Sequence, residues 1–349
     1  MNRIDVVVPC YNYGRYLSRA VASVLDQPGV DPRVLVIDDC SSDDSESVGR
    51  ALSAADSRVE FRRHAENRGH IATYNEGLLG WAEGDYVLLL SADDALAPGA
   101  LARATRALGA HPNAGLCYGR QQVFSDEEPP PFQPPAESCA YEVVTGEAFM
   151  RSSCRAGSNL VPTPTAVVRT SLQRLVGPYR AELPHTADLD MWLRLSGHAA
   201  VISLDGVQAF KRMHATNMQH QYVATLLPDL QQRAAAFEMA LGGWAGRPGA
   251  ADEPLQWARR ALASEAFWAA SRAFDDGQPH QCADLLACAV RFDPALRMDP
   301  AFARLAWKRR LGHAAWSLAA PLVRAARRLA GRPARTGPPP DRVASLMER

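Results

Sequence analysis

The chain of 349 residues lacks several features that would assign it to a particular class of protein. No apolar stretch reaches the ~20 uninterrupted residues that a membrane-spanning helix needs. The seven cysteines include no C-x-x-C pair and show no regular spacing. An odd number of cysteines without such a framework indicates free thiols in a reducing compartment.

The chain also lacks an excess of either charge, because its 38 Lys and Arg residues equal its 38 Asp and Glu residues. The charge of the whole chain therefore gives no argument for a nucleic-acid partner. The first residues, "MNRIDVVVPCYN", run directly into a strand pattern and contain neither the apolar core nor the cleavage site of a signal peptide. We therefore expect a cytoplasmic protein.

Short apolar runs alternate with helical patterns over residues 1–120. The apolar runs are "IDVVVPC", "RVLVIDD", "VEFRRH" and "DYVLLLS", and the helical patterns between them include "GRYLSRAVASVLDQ", "SDDSESVGRALSAA" and "HIATYNEGLLGWAEG". This alternation predicts an α/β fold with a mostly parallel central sheet flanked by helices.

Pairs of carboxylates follow two of the predicted strands. Asp38 and Asp39 end "RVLVIDD", and Asp93 and Asp94 follow "YVLLLSA". The second pair could instead have a purely structural role and cap the next helix, because Asp is common just before helices. Ligands of such sheets bind at the carboxyl ends of the strands, and crowded carboxylates are costly unless they bind something. The pattern indicates a cation, a nucleotide or both, and Mg²⁺ or Mn²⁺ would suit carboxylates and substrate phosphates.

The second half of the chain changes character twice. The proline-rich segment 125–138 predicts either a disordered excursion or a mobile lid. Next, "TPTAVVRTSLQRLVGPY" predicts a strand and a helix, and residues 185–214 predict a helix and two short strands. Alanine-rich helical patterns begin near residue 228. We expect a domain over residues 1–225, a helical region over 226–330 and a disordered basic tail over 331–349.

The last helix and the tail are basic. Residues 301–349 contain eleven Lys and Arg residues against two acidic residues, with apolar side chains at helical spacing. A basic amphipathic helix of this kind can lie on an anionic membrane surface. The alternative is a helix that packs on its own domain with a solvated charged face. The location is then cytoplasmic, either free or peripheral at the inner face of the cell membrane.

Four segments, in this order, resemble the family 2 glycosyltransferases, which have the GT-A fold. They are "VVVPCYNYGRYLSRAVASVLDQ", "VIDDCSSDDS", "NRGHIATYNEGL" and "GDYVLLLSADD", and the resemblance covers residues 3–220. It implies inverting transfer of a sugar from a nucleotide-diphosphate sugar, with a UDP-sugar favoured, to a hydroxyl acceptor. It also implies a Mn²⁺ or Mg²⁺ ion and a glycan or lipid-linked acceptor in the synthesis of cell-surface polysaccharide, lipopolysaccharide or another glycoconjugate.

The resemblance assigns the nucleotide to the ends of the first two strands. Pro9 and Tyr11 would border the base. Asp39, with Asp38 beside it, would accept a hydrogen bond from the base edge. A turn after a strand is the structural alternative for the two acids.

The same resemblance assigns the metal and the diphosphate. Asp93 occupies the second acidic position of the metal motif and Asp94 follows it, whereas the first position holds Ser91. In the basic segment "FKRMHATNMQ", Arg212 and His214 would reach the diphosphate, and His214 would complete the metal shell.

Further departures from the family pattern concern a phosphate contact and a polar residue. Tyr74 stands where many relatives carry an arginine, and His70 or Arg68 would substitute for that cation. We assign Tyr74 and His70 to the donor site. Met218 replaces the usual serine.

The general base is expected in "HTADLDMWLRL", which resembles the acidic motif of the family. Ala187 replaces one of the two usual acids, so Asp188 is the candidate base and Asp190 its rival. A carboxylate there would remove the proton of the acceptor hydroxyl. The other acid would be a helix N-terminal residue favoured by the helix dipole.

Two other classes of protein compete with this interpretation. A sugar-1-phosphate nucleotidyltransferase would carry a glycine-rich phosphate loop after the first strand, and a dehydrogenase would carry G-x-G-x-x-G, but "PCYNYGRYL" has one glycine. A catalytically degenerate nucleotide-sugar-binding protein would explain the four departures, although Asp39, Asp93 and Asp188 are all present.

Overall fold

A computed structural model describes residues 1–125, 139–214 and 226–329 of the protein. A nine-stranded sheet lies at its centre, in the order β3-β2-β1-β4-β8-β6-β9-β5, with β7 also paired to β9. The strands are β1 (Arg3–Cys10), β2 (Asp31–Asp38), β3 (Val59–Arg63), β4 (Tyr86–Leu89), β5 (Ala95–Leu96), β6 (Ala114–Phe124), β7 (Tyr141–Val144), β8 (Val167–Arg169) and β9 (Ala200–Arg212). Strands β5, β7 and β8 run against the other six, so the predicted mostly parallel sheet is confirmed.

Helices cover the sheet and continue beyond it. They are α1 (Gly14–Leu25), α2 (Ser45–Ala55), α3 (His70–Asn75), α4 (Ala100–Ala110), α5 (Gly146–Ala156), α6 (Thr170–Val176), α7 (Ala187–Ser196), α8 (Leu226–Gly242), α9 (Asp252–Asp275), α10 (Pro279–Phe292), α11 (Pro300–Leu311) and α12 (His313–Leu329). None of the helices in the described part of the chain is long and apolar enough to cross a membrane.

Strand β1 shows why the first strands read as continuous apolar runs. Val6 and Val8 belong to the core on the α1 and α4 side of the sheet. Val7, between them, belongs to the core on the opposite side. Successive side chains of a strand point to opposite faces, so a strand covered on both faces must be apolar throughout.

Two predicted elements differ from the observed ones. The helix predicted to end at Gly84 ends in a π-helical turn, Glu76–Trp81. The Asp5 carboxylate accepts hydrogen bonds from the backbone N–H groups of Glu83 and Gly84, which directs the chain into β4. The two short strands predicted near the end of the sheet form one strand, β9, whose pairing with β6 shifts register near Gly119.

The C-terminal helices pack against α5 and α7, which lie on one face of the sheet. One hydrophobic core contains Val7 and Leu35 of the sheet together with Phe237 of α8, Leu262 of α9 and Leu305 of α11. The helical region therefore buries its apolar faces on the same core as the sheet. The predicted lid or excursion, apart from its first residue, and the predicted basic tail lie outside the described residues.

Candidate functional site

A cavity of about 430 Å³ opens where β1, β4 and β9 end. Its wall also includes the loop that follows α5 and the segment that leads into α7. The polar part of the wall includes Asp93, Asp94, Asn159, His185, Asp188 and Lys211. The cavity thus brings together the carboxylates after β4 and the candidate base of α7, which are almost one hundred positions apart in sequence.

Asp93 and Asp94 do not cap the next helix, because α4 begins at Ala100 and is preceded by Gly99. The Oδ2 atom of Asp93 lies 3.1 Å from Nε2 of His214. The Oδ1 atom of Asp94 accepts a hydrogen bond of 3.0 Å from the backbone N–H of Arg212. Burial and the neighbouring Asp93 carboxylate raise the pKa of Asp94, as expected for two carboxylates in a crowded, largely dry position.

Of the predicted metal ligands, Asp93 and Asp94 line the cavity, whereas His214 contacts Asp93 and is not among the described residues of the cavity wall. Carboxylate oxygens are the ligands that Mg²⁺ and Mn²⁺ prefer, and a buried Gln121 Oε1 on the same wall has no hydrogen-bond partner among the described residues. Within those residues, no group of three or more His, Cys, Asp or Glu side chains has a metal-binding arrangement. The donor set fits an ion that takes its remaining ligands from phosphates and water.

The acids after β2 are engaged with the chain around them. Arg63 forms an ion pair with Asp38. The two oxygens of Asp39 accept hydrogen bonds from the backbone N–H groups of Arg68 and Gly69 at 2.8 and 2.9 Å, and Oδ1 lies 2.7 Å from His64 Nδ1. These contacts fix the loop that leads into α3. The contact of Asp39 with a nucleotide base stays a prediction.

The other predicted nucleotide residues occupy two environments. Pro9 lies on the cavity wall, whereas Tyr11 is 49% exposed at the end of β1. His70 and Tyr74 both line the cavity, with their rings 5.4 Å apart in an edge contact. Burial is the main cause that raises the pKa of Tyr74, followed by the carboxylate of Asp188, so the phenol stays neutral.

The predicted cations differ in position. Arg212 is buried with its guanidinium 4.5 Å from each of the Tyr16 and Phe124 ring centres, and it is not among the described residues that line the cavity. Arg68 forms an ion pair of 2.9 Å with Glu76. Lys211, which sequence analysis missed, lies on the cavity wall beside the two strand-end carboxylates.

The two acids of α7 have different surroundings. Asp188 lines the cavity, and its Oδ2 atom accepts hydrogen bonds from Asn159 at 2.8 Å and Thr163 at 3.0 Å. Burial is the main cause that raises the pKa of Asp188, although the hydrogen bonds from the Leu189 backbone N–H and from Thr163 oppose it. Asp190 is fully buried and bound by Arg180 and Arg194 at 2.7 and 2.8 Å.

Three polar residues around Asp188 escaped the sequence analysis. They are Asn159 and Thr163, from the loop after α5, and His185, three positions before Asp188. His185 belongs to the same acidic motif and could have been found from that nearness. The two loop residues carry no local signal, because only the tertiary fold brings them to the cavity.

The central sheet, with its flanking helices, has the architecture of the GT-A fold. The family model described as "Glycosyl transferase family 2" matches residues 5–172. This part of the chain belongs to glycosyltransferase family 2, which confirms the resemblance noted in the sequence.

Related sequences extend over different shares of the chain. An uncharacterised protein of Mycobacterium tuberculosis is 27% identical over 229 residues, which are 64% of this chain and 70% of that protein. The Campylobacter jejuni GalNAc(5)-diNAcBac-PP-undecaprenol beta-1,3-glucosyltransferase is 36% identical over 102 residues, which are 29% of this chain and 33% of that enzyme. The latter match spans about a third of the relative's length.

Solved structures share the fold at low sequence identity. A crystal structure of Staphylococcus aureus TarS has a TM-score of 0.60 and 18% identity, and the match covers 84% of this chain and 81% of that chain. A mannosyltransferase from Pyrobaculum calidifontis, in complex with GDP-Man and Mn²⁺, has a TM-score of 0.53 and 17% identity, with 87% and 79% covered. At these identities the likeness shows the fold alone.

Proposed function

We propose that the protein is an inverting glycosyltransferase that moves a sugar from a nucleotide-diphosphate sugar to a hydroxyl group. The observation that supports this proposal is that Asp93, Asp94 and Asp188 line the same cavity. Inversion requires one displacement, in which a base and a leaving-group site face the same sugar. A cavity with acids from two distant elements provides room for both roles.

Asp188 is the proposed base. In its ionised form the carboxylate takes the proton of the acceptor hydroxyl while that oxygen bonds to the anomeric carbon. The bond from the anomeric carbon to the diphosphate oxygen breaks, and the nucleoside diphosphate leaves with that electron pair. Asn159 and Thr163 donate hydrogen bonds to Oδ2 of this carboxylate. The backbone N–H of Leu189 donates one of 2.8 Å to Oδ1, so the contacts fix the orientation of the carboxylate at both oxygens.

Asp93 and Asp94 are the proposed donor-side acids, with His214 beside Asp93. A bound Mn²⁺ or Mg²⁺ ion would neutralise the charge that develops on the departing diphosphate. Lys211 contributes a positive charge to the same wall, and Tyr74 contributes a neutral phenol between the two groups of acids. We assign both side chains to the donor phosphates.

The donor and acceptor classes are proposed from relatives. A TarS structure with a TM-score of 0.57 to this fold is in complex with UDP-GlcNAc, which favours a UDP-sugar donor. The name of the Campylobacter jejuni relative includes an undecaprenol-linked diphosphate acceptor. We therefore propose a glycan or lipid-linked acceptor in the synthesis of a cell-surface polysaccharide or another glycoconjugate.

A membrane position would suit a lipid-linked acceptor, and the last two helices support it. Helices α11 and α12 contain no Asp or Glu, and they expose Trp307, Leu311, Leu318 and Leu322. We propose that these side chains contact anionic lipid. The Leu318→Asp variant should lose sedimentation with phosphatidylserine vesicles, whereas Leu175→Asp, at an exposed leucine of α6, should keep it. Equal sedimentation of both variants would refute the membrane contact.

Nucleotide release tests the enzymatic proposal. The full chain is incubated with UDP-GlcNAc, UDP-glucose, UDP-galactose, GDP-mannose and dTDP-glucose, with p-nitrophenyl glycosides or water as acceptors. We expect release from one donor, and a loss of roughly 10²- to 10⁴-fold in Asp188→Asn. Asp26→Asn, at an exposed position outside the cavity, is the matched control. Release that is unchanged in Asp188→Asn would exclude Asp188 as the base.

A further inference from the structure

The candidate base is held between two segments that are both anchored by one helix of the C-terminal region. His185 precedes Asp188 by three positions, and its Nε2 atom lies 2.9 Å from Oδ1 of Asp229 on α8. The backbone carbonyl of Gly157, two positions before Asn159, accepts a hydrogen bond of 2.9 Å from Arg233 on the same helix. Asp229 and Arg233 thus reach both sides of the site of Asp188.

Asp229 and Arg233 are also bound to each other, as neighbours one turn apart on α8. Arg233 Nε donates to Asp229 Oδ2 at 2.8 Å, and its Nη2 atom donates to Glu265 of α9 at 2.9 Å. Although burial opposes ionisation, the hydrogen bonds from His185 and Arg233 lower the pKa of Asp229, so this carboxylate is charged at neutral pH. The guanidinium therefore joins two helices and a loop with geometrically fixed donors.

The backbone conformation of Gly157 further restricts the loop that contains Asn159. Gly157 has a φ angle of +62°, which favours glycine, and a side chain there would come within 2.8 Å of Ala261 on α9. Asn159 in turn donates to Asp188 Oδ2, and Thr186 donates to the backbone carbonyl of Gln232 on α8. An unbroken series of contacts therefore connects α8 to each of the two segments that hold the candidate base.

We infer that Asp229 and Arg233 are positioning residues for the proposed base, acting through His185 on one side and through Gly157 and Asn159 on the other. This inference rests on the proposed function. It gives the helical region a role in the reaction, because α8 completes the support of the acceptor side of the cavity. A displacement of a reacting group by about 1 Å can cost on the order of 10²-fold in rate.

The test compares Arg233→Ala with Arg259→Ala in the full chain. Arg259 also joins α8 to α9, through an exposed ion pair of 2.8 Å with Glu238. Among the described residues, its hydrogen bonds reach Glu238 and no residue of the segments around Asp188. With the donor that the wild type uses, we expect Arg233→Ala to lower kcat by about 10- to 100-fold and to change the KM for the donor by less than about twofold. Arg259→Ala should keep the wild-type kcat.

Arg233→Lys guards against a variant that fails to fold. It keeps the charge, but one ammonium group cannot reproduce the fork of a guanidinium, so we again expect a loss of kcat with an unchanged donor KM. Wild-type kcat in both Arg233 variants, or an equal loss in Arg259→Ala, would overturn the inference.

Hydrogen–deuterium exchange distinguishes a failure of this inference from a failure of the proposed function. We expect Arg233→Ala to exchange faster than the wild type in residues 157–163 and 185–190, and Arg259→Ala to match the wild type there. If the wild type turns over no donor, the proposed function fails, and exchange alone decides the anchoring. Unchanged exchange in both segments of Arg233→Ala would refute the positioning role under either outcome.

Discussion

The carboxylate of Asp93 and the imidazole of His214 lie 3.1 Å apart although 121 positions separate them in the chain. The contact joins the segment after β4 to the end of β9, because β5, which begins directly after Asp94, pairs antiparallel with β9. His214 also packs against the rings of Tyr13 and Tyr16, each with a centre 5.3 Å away. These contacts fix the position of the wall that we propose for the donor.

The first prediction concerns the ion. The Asp93→Asn variant should lose the binding of Mn²⁺ in the presence of UDP, because the ion would lose its charged protein ligand. Electron paramagnetic resonance of free Mn²⁺ during titration measures this directly, with Asp26→Asn as the control. Mn²⁺ binding of wild-type strength in Asp93→Asn would remove Asp93 from the metal site.

The second prediction separates stability from reaction in α7. Replacement of Asp190 by Ala leaves Arg180 and Arg194 without their shared buried carboxylate. Breaking a buried ion pair by removal of one partner costs about 3–5 kcal/mol, so the free energy of unfolding should fall by about that amount. Asp188→Asn should change it much less. Urea unfolding of both variants gives the comparison, and equal destabilisation would contradict the distinct roles of the two acids.

The third prediction concerns pH. Asp188 acts as a base only when it is ionised, and burial raises the pKa of this carboxyl group. The value of kcat/KM should therefore fall as the pH is lowered through that raised pKa, above the range in which an exposed aspartate titrates. The pH dependence of nucleotide release measures this limb. A limb at the ordinary pKa of aspartate would contradict the buried environment of the base.

The fourth prediction concerns Lys211. The Lys211→Met variant should bind UDP about tenfold more weakly, because one charge interaction with the diphosphate is lost. Its affinity for uridine, which has no phosphate, should equal that of the wild type. Fluorescence titration with both ligands makes the comparison. An equal loss for uridine would show that the variant damages the base site instead.

The parallel half of the sheet was predictable because its cause is local. A strand that is buried on both faces must be largely apolar, as β4 shows over its whole length and β1 shows at residues 6–8. The acids that follow β4 were also predictable, since carboxyl ends of parallel strands meet at one edge. The same reasoning does not apply to β8 and β7, which join the sheet antiparallel after long connections.

The choice between Asp188 and Asp190 required the structure. Both acids lie in the first turn of α7 and have the same local sequence signal. Residues two positions apart on an α-helix point about 200° apart, so only one of them can face the cavity. The sequence does not indicate which side of α7 contacts Arg180. It therefore does not show which of the two acids forms the ion pairs.

The anchoring of the site by α8 was equally inaccessible. Asp229, Arg233 and Glu265 form contacts with residues that lie 44, 76 and 32 positions away in the chain. Charged residues of an amphipathic helix usually face the solvent. The local sequence therefore does not indicate that these three residues belong to a site. Only the packing of the helical region on α5 and α7 brings them to the candidate base.

The central claim is that the cavity binds the nucleotide of a sugar donor together with a divalent ion. Calorimetric titration of the full chain with UDP, GDP and dTDP, each with and without Mn²⁺, tests it most directly. We expect one nucleotide to bind, with UDP favoured, and Mn²⁺ to strengthen the binding. A folded protein that binds none of the three nucleotides in the presence of Mn²⁺ would contradict it.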